Sequence, residues 1–239
     1  MANTRSPSPD SPPAESAHSA SPALLDGIAA DQAEASAAEE LHERVVLDDE
    51  RIRRALRRIA HEIVESDADL SALYLVAIPN GGVPLARRLA ENLESLAGAR
   101  PQLGIMDTTL YRDDLATRGT RPRLRRTEMP SSVDRGAVIL VEDVVSTGRT
   151  IRAAMDALMD FGRPQSVKVV ALVDRGHREL PIKIDYVGKN IPTQPGESVI
   201  FRSHEPEDSE EETLEVVVQA LEGPPQSAAS GTERGEGVA

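Results

Sequence analysis

Three short apolar runs, each followed by a turn and most by a helical pattern, constrain the fold of this chain more than any other feature. The runs are LYLVAI at 73–78, AVILVE at 137–142 and VKVVALVD at 167–174. Continuous apolar runs of this length are typical of strands buried on both faces, as in parallel sheets covered by helices. Strands that alternate with helices predict right-handed crossovers and an open parallel α/β sheet.

Helical patterns flank these strands. Asp48 and Asp49 can cap a helix that runs to about Ser66, with its apolar residues at helical spacing. Pro84 is expected at the first position of a second helix, and a third at 151–161 ends at Gly162. The other predicted elements are a strand at 103–109, a long charged loop at 111–130 and short strands at 199–203 and 214–220.

The two ends of the chain differ in composition from the middle. Residues 1–44 are rich in Ser, Pro and Ala and carry eight acidic and two basic residues, and 204–239 carry ten acidic residues and one basic. Such segments bury too little apolar surface to offset the entropy of ordering. We expect disordered tails at 1–44 and 223–239 around one folded domain at 45–222. The net charge of −13 therefore lies in the ends.

The composition also excludes several classes of protein. The chain has no cysteine, which rules out disulfide scaffolds and thiolate chemistry. No apolar run reaches the length of a membrane span and the N-terminus lacks an apolar signal region, so we expect a cytoplasmic protein with no membrane partner. Neither His61 nor His177 belongs to a group with metal-ligand spacing, so no directly held metal is expected.

The segment from Val138 to Thr150, VILVEDVVSTGRT, carries the chemistry. It places two acids and a turn with hydroxyl side chains at the end of a strand, where open α/β sheets bind ligands. The turn and the helix behind it suit a phosphate, and Glu142 and Asp143 can accept hydrogen bonds from vicinal sugar hydroxyls. The alternative is an ordinary strand–helix turn with a capping Ser or Thr, but the whole segment favours a ribose 5-phosphate site.

This segment resembles the phosphoribosyl diphosphate (PRPP) motif of type I phosphoribosyltransferases. The resemblance extends to stretches that are similar to the PyrR family of pyrimidine operon regulators: ERIRRALRRIAHEI (50–63), DTTLYRDDL (107–115), GRTIRAAMDALMDFGRP (148–164) and LVDRGHRELPIKIDYVGKNIPT (172–193). It covers about residues 45–222. The resemblance implies the type I phosphoribosyltransferase fold, an open parallel α/β sheet flanked by helices, with a small hood built from segments near both ends.

The resemblance also implies a function. Members of the family convert uracil and PRPP to UMP and diphosphate with Mg²⁺ that enters with PRPP, and UMP or UTP promotes their binding to leader RNA of pyrimidine genes. We therefore expect a uracil phosphoribosyltransferase that is also a pyrimidine-responsive RNA-binding regulator, assembled as a homodimer or a larger homo-oligomer. One alternative is a regulator only, whose nucleotide site senses UMP or UTP. Another is a salvage enzyme for a different base such as a purine, against which DRGHRELP argues.

The resemblance assigns roles to residues of this sequence. Arg112 and Asp143 are expected to be catalytic, and Glu142 and Asp143 to hold the ribose hydroxyls. The other residues expected to bind PRPP or the nucleotide are Asn80, Gly81, Gly82, Tyr111, Val144, Val145, Ser146, Thr147, Gly148, Arg149 and Thr150. Those expected at the uracil are Val173, Asp174 and Arg175. Those expected to bind RNA are Arg57, Arg58, His61, Arg178, Lys183 and Lys189, although the first helix can instead present a solvated basic face paired with acids.

One turn departs from the family pattern. After the first strand, family members usually carry Lys-Thr-Arg-Gly or a similar basic loop that grips the diphosphate, whereas this chain has Pro79-Asn80-Gly81-Gly82. Loss of a cation in a closed site weakens charge stabilisation. This departure keeps open the alternative of a regulator with weak or lost transferase activity.

Overall fold

The computed structural model describes residues 41–66, 70–79, 81–113, 126–130, 132–204 and 212–221. Its helices are α1 (Asp49–Ser66), α2 (Gly82–Ala97) and α3 (Arg149–Leu158). Its strands are β1 (Leu41–Leu47), β2 (Leu73–Ala77), β3 (Gln102–Ile105), β4 (Ala137–Val145), β5 (Ser166–Asp174), β6 (Tyr186–Asn190), β7 (Glu197–His204) and β8 (Thr213–Leu221). Short 3-10 helices lie at Leu70–Ala72, Thr109–Tyr111 and Met159–Phe161.

A five-stranded sheet in the order β3-β2-β4-β5-β6 forms the centre of the fold, and all its neighbouring strands are parallel. Side chains alternate between the two faces. Leu75 and Ile139 join the cluster that contains α1 and α2, whereas Val76 and Leu140 join the cluster that contains α3. Because both faces are covered, the strands are continuously apolar, and the predicted open parallel sheet is confirmed.

The amino end of α1 forms as the sequence predicts. The N–H of Arg51 donates to Asp48 Oδ1 at 2.8 Å, which satisfies a donor that the first turn of the helix leaves open. Five buried residues at helical spacing form its inner stripe: Ile52, Leu56, Ile59, Ala60 and Ile63. This stripe attaches α1 to the sheet and leaves its arginines on the outer side.

The hood is a second, antiparallel sheet in the order β1-β8-β7. Its buried residues Leu214 and Val216 join the same core cluster as α1. Asp49 links the hood to the parallel-sheet layer, because its Oδ1 accepts hydrogen bonds from Arg88 at 2.6 Å and from the N–H of Leu214 at 3.0 Å. Residues 41–44 lie in β1 rather than in a tail, since β8 pairs with them. Residues 1–40 and 222–239 lie outside the described residues.

Several element boundaries differ from the prediction. β4 continues through the two acids to Val145, because β5 pairs with it along that length. α2 begins at Gly82, so Pro84 is its third residue rather than its first. The predicted strand at 103–109 is shorter and begins at Gln102. β6 was not predicted, since its YVGKN sequence is mixed and its strand form depends on pairing with β5.

Candidate active site

The VILVEDVVSTGRT segment forms an open cleft at the carboxyl end of β4. A turn at 146–148 joins β4 to α3. Gly148 has a φ of 90°, which favours glycine, and a side chain there would press on Ile182. The cleft has a volume of about 90 Å³, and its walls are Glu142, Val144, Val145, Ser146, Thr147, Gly148, Thr150 and Ile151. The structure thus brings together seven of the fourteen residues that were expected at PRPP.

Glu142 is the buried acid of this cleft. It is 8% exposed, and its Oε2 has no hydrogen-bond partner among the described residues. Burial, followed by the neighbouring charge of Asp143, raises the pKa of Glu142 well above its usual range, and Arg112 opposes this rise. A buried carboxyl oxygen without a hydrogen-bond partner lowers the stability of the fold until another group donates a hydrogen bond to it. Such an atom is suited to accept a hydrogen bond from a ligand hydroxyl.

Asp143 lies beside the cleft and is held by backbone groups. The N–H of Val144 donates to its Oδ1 at 2.8 Å, and the N–H of Gly81 donates to the same carboxyl group. Burial raises the pKa of Asp143, and these hydrogen bonds limit the rise. The Gly81 N–H is therefore already used within the protein. Asn80, also expected at the diphosphate, lies outside the described residues.

Arg112 is a cation that the fold brings to the cleft. Its Nη1 donates to Thr150 Oγ1 at 3.2 Å in the first turn of α3, and its charge acts on Glu142. Tyr111, which is expected to bind PRPP beside it, also docks on α3. The carbonyl of Tyr111 accepts a hydrogen bond from Arg152 Nη2 at 3.3 Å. Tyr111 thus anchors the start of the loop and helps to place Arg112.

The side chain of Arg149 is occupied by two acids. Its Nη1 lies 2.5 Å from Asp113 and its Nε lies 2.7 Å from Glu179. The hydrogen bond to Glu179 and the charge of Asp113 raise the pKa of Arg149. The backbone N–H of Arg149, at the amino end of α3, donates to Thr147 Oγ1 at 3.3 Å within the same turn.

The three residues expected at the uracil lie at the end of β5, as predicted, but their side chains serve the fold. Val173 is fully buried. The carboxyl of Asp174 accepts a hydrogen bond from Arg178 at 2.8 Å, and Arg175 donates to Thr193 Oγ1 at 3.0 Å. Any contact between this segment and a base is therefore expected from backbone groups.

Arg178 was expected at the RNA, but its contacts favour a structural role. Its guanidinium donates from Nη1 to the carbonyl of Ser146 at 2.5 Å and from Nη2 to Asp174 Oδ2 at 2.8 Å. Its Nε donates to the carbonyl of Ile182 at 3.1 Å. One side chain therefore joins the turn of the cleft, the end of β5 and the segment that follows it.

Comparison with known proteins identifies the family. Residues 45–209 match the family described as Phosphoribosyl transferase domain. The Bifunctional protein PyrR of Pelotomaculum thermopropionicum is 53% identical over 160 residues, which are 67% of this chain and 88% of that protein. The Bifunctional protein PyrR of Halalkalibacterium halodurans is 48% identical over 174 residues, 72% of this chain and 97% of that protein. The chain belongs to the PyrR family of phosphoribosyltransferases.

Solved structures agree with this fold. A hypoxanthine phosphoribosyltransferase of Staphylococcus aureus has a TM-score of 0.51 at 22% identity, covering 66% of this chain and 81% of that one. The hypoxanthine phosphoribosyl transferase of Trypanosoma cruzi has a TM-score of 0.53 at 25% identity, covering 64% and 80%. The type I phosphoribosyltransferase fold is confirmed. The much higher identity to PyrR proteins separates this chain from the purine enzymes.

The basic residues of this PyrR family member fall into two groups. Arg58 donates from Nη2 to the carbonyls of Val187 and Gly188 at 2.8 and 2.9 Å, which places α1 directly beside β6. α1 carries Arg57, Arg58 and His61 and the adjacent β6 carries Lys189, which are four of the six residues expected at the RNA, and we call the outer surface of these two elements the α1–β6 face. Arg57 lies on the α2 side of it, because it lines a groove with Arg88 and Glu91. Lys183 is 85% exposed and lies 3.6 Å from Asp185, in the segment before β6.

Sequence reasoning missed two residues next to the cleft. Arg152 supports Tyr111 from α3, and the ring of Phe201 on β7 lies against Gly81. No motif marks either position. The alternation of β7 puts Phe201 on the inner face of the hood, but only the tertiary structure shows what that face meets.

The described part of the chain holds no group of three or more His, Asp or Glu side chains arranged to hold a metal ion. None of its helices combines the length and the apolar character that crossing a membrane requires.

Proposed function

We propose that this PyrR family protein transfers a phosphoribosyl group from PRPP to uracil, and that it binds leader RNA of pyrimidine genes in response to UMP or UTP. The observation that carries the transferase activity is the unpartnered Oε2 of Glu142 in a cleft whose turn suits a phosphate. The bifunctional PyrR proteins that share about half of their aligned residues with this chain support both activities.

Different cleft residues are expected to bind different parts of PRPP. Glu142 and Asp143 would accept hydrogen bonds from the ribose hydroxyls, and the turn at 146–148 with the amino end of α3 would hold the 5-phosphate. Two adjacent carboxyls are too few to hold a metal alone, and they fit a Mg²⁺ that shares the oxygens of PRPP. When bound, that ion supplies charge neutralisation for the diphosphate.

The reaction forms a bond between N1 of uracil and C1 of the ribose, breaks the bond from C1 to the diphosphate oxygen, and releases the proton of uracil N1 to the diphosphate or to solvent. Negative charge then accumulates on the leaving diphosphate, so a nearby cation lowers the barrier. Arg112 beside Thr150 is placed to contribute this charge. Residues 79–82 include no cation, and the Gly81 N–H donates to the Asp143 carboxyl. This last observation favours the second candidate, a regulator with weak transferase activity.

The purified full-length protein is expected to form UMP from radiolabelled uracil and PRPP with Mg²⁺. Arg112→Ala should lower kcat/KM about 100-fold, because it removes a cation from a closed site. Arg126→Ala is the matched control, since Arg126 is a highly exposed cation on the same connection, and it should leave the rate unchanged. Absence of UMP formation together with tight UMP binding would select the regulator-only function.

RNA binding is proposed for the α1–β6 face. Arg57, His61 and Lys189 are exposed, and no described residue forms a side-chain hydrogen bond or ion pair with them. Lysine and arginine side chains that contact phosphates release counterions, so such a surface binds RNA in a salt-dependent manner. The mixture of charge and an imidazole on a helix next to a sheet edge suits structured RNA that is recognised by shape and unstacked bases.

The double variant Arg57→Glu, Lys189→Glu is expected to lower the affinity for leader RNA at least tenfold and to reduce the salt slope by about two. UMP formation should stay within about twofold of wild type, because neither residue touches the cleft. The control Arg126→Glu, Arg163→Glu makes the same charge change at exposed positions outside this face. An equal loss of RNA affinity in both variants would show a general effect of charge and reject the assignment.

A further inference from the structure

Gly81 is a glycine because of what surrounds it. Its φ of −86° and ψ of −18° are open to any residue. A Cβ at this position would lie 2.3 Å from Asp143 Oδ2 and 2.5 Å from Cδ1 of Phe201. Both distances are shorter than van der Waals contact allows, so the carboxyl and the ring already fill the space that a side chain at position 81 needs.

Phe201 reaches this point from the hood. It lies on β7, pairs with Val216 of β8 and packs, half-buried, against the core cluster of α1 and the central sheet. Its ring therefore contacts Gly81, which also meets the Asp143 carboxyl beside the cleft. Asp143, which closes the other side of Gly81, is bound to the Gly81 N–H.

We propose that Phe201 is a positioning residue of the transferase site, which holds Gly81 and the Asp143 carboxyl in place. Its ring also occupies the volume of the basic side chain that the family pattern puts at position 81. This inference rests on the proposed transferase function. In this chain the hood makes Gly81 rigid, whereas the family pattern has a cation at that position. The ring acts on PRPP through Asp143 and Gly81 and has no direct part in the reaction.

The first experiment compares Phe201→Ala with Phe201→Leu and with Val199→Ala. Val199 is the matched control, because it lies two residues away on β7 and packs half-buried against the same core. Phe201→Ala should weaken PRPP binding and raise the KM for PRPP about tenfold, with kcat changed less than threefold. Phe201→Leu should recover most of this loss, and Val199→Ala should lower the melting temperature with no change in the KM.

The second experiment tests whether side chains at positions 81 and 201 compete for the same space. Gly81→Arg alone should strongly destabilise the protein. Gly81→Arg with Phe201→Ala should recover part of that stability, since the Asp143 carboxyl still meets a Cβ at position 81, and should bind PRPP more tightly than Phe201→Ala alone. Additive effects of the two substitutions, or a Phe201→Ala variant that behaves like Val199→Ala, would overturn the proposal. PRPP affinity measured by calorimetry needs no turnover, so a wild-type protein that makes no UMP would reject the transferase function and leave this test intact.

Discussion

Replacing Glu142 with Gln is expected to stabilise the unliganded protein and, at the same time, to reduce kcat/KM for UMP formation by roughly 100- to 1000-fold. The carboxyl is 8% exposed and one of its oxygens has no partner among the described residues. A charged group held in this way opposes folding, whereas a neutral amide of the same size opposes it less. Gain of stability with loss of function is typical of a site built for its ligand.

The stability gain has a defined pH dependence. The pKa of Glu142 is raised in the folded protein, chiefly by burial, so the unfolded chain ionises first as the pH increases. Ionisation of Glu142 therefore lowers the free energy of unfolding of the wild type above the ordinary glutamate pKa of 4.5. This loss of stability is complete above the raised pKa of the folded protein. Glu142→Gln should be roughly 1–2 kcal/mol more stable than wild type at high pH and equal to it below that range.

The measurement is thermal or urea unfolding of both proteins across this pH range, with UMP formation measured at neutral pH. Glu65→Gln is the control, because it makes the same chemical change at an exposed position at the end of α1. It should alter neither stability nor rate. A Glu142→Gln variant that is less stable than wild type at neutral pH would show that Glu142 has a favourable partner in the folded protein, contrary to the structure.

Arg178→Ala is the second substitution with a large expected effect. It removes the Arg178 donors to Asp174 Oδ2 and to the carbonyls of Ser146 and Ile182, while Asp174 Oδ1 keeps the Gly176 N–H. Arg178 and Asp174 are largely buried, with side-chain exposures of 23% and 19%, so solvent replaces these contacts poorly. The variant should lose about 2–4 kcal/mol of stability. Since the turn of the cleft loses a support, PRPP and UMP binding should fall with it.

Two further variants separate this structural role from a direct contact with RNA. Arg178→Lys keeps the charge but not the three-way fork, so it should recover only a small part of the stability. Lys183→Glu changes the charge of a neighbouring side chain that is 85% exposed, and it should leave the melting temperature unchanged. An Arg178→Ala variant that keeps its stability and its nucleotide affinity but loses RNA affinity would restore the role expected from the family resemblance.

Much of the architecture was predictable because local signals agreed with the global fold. The apolar runs at 73–78, 137–142 and 167–174 could be buried only in a two-sided sheet, and each became a parallel strand. β1 and β6 were missed because their sequences carry no strong period. β1 depends on pairing with β8, which lies far along the chain, and β6 depends on pairing with the preceding strand β5; pairing of this kind is decided by tertiary context.

Some features of the site were likewise predictable from the sequence and others were not. The order of strand, acids, hydroxyl turn and helix in VILVEDVVSTGRT was sufficient to predict a cleft at this strand–helix junction, because backbone geometry there is local. The sequence also showed the missing cation at Gly81. The partner that each charged side chain binds was not predictable, since a guanidinium reaches partners many residues away along the chain.

The sequence by itself determined the alternation of strands and helices, the position of the cleft and membership of the PyrR family, all of which depend on residue order. Only the tertiary structure decided that Glu142 lacks a partner, that Arg178 is used within the protein and that Phe201 closes against Gly81. The physical reason is that burial and close contact depend on which distant segments meet. The hood, for example, combines β1 with β7 and β8 from the opposite end of the chain.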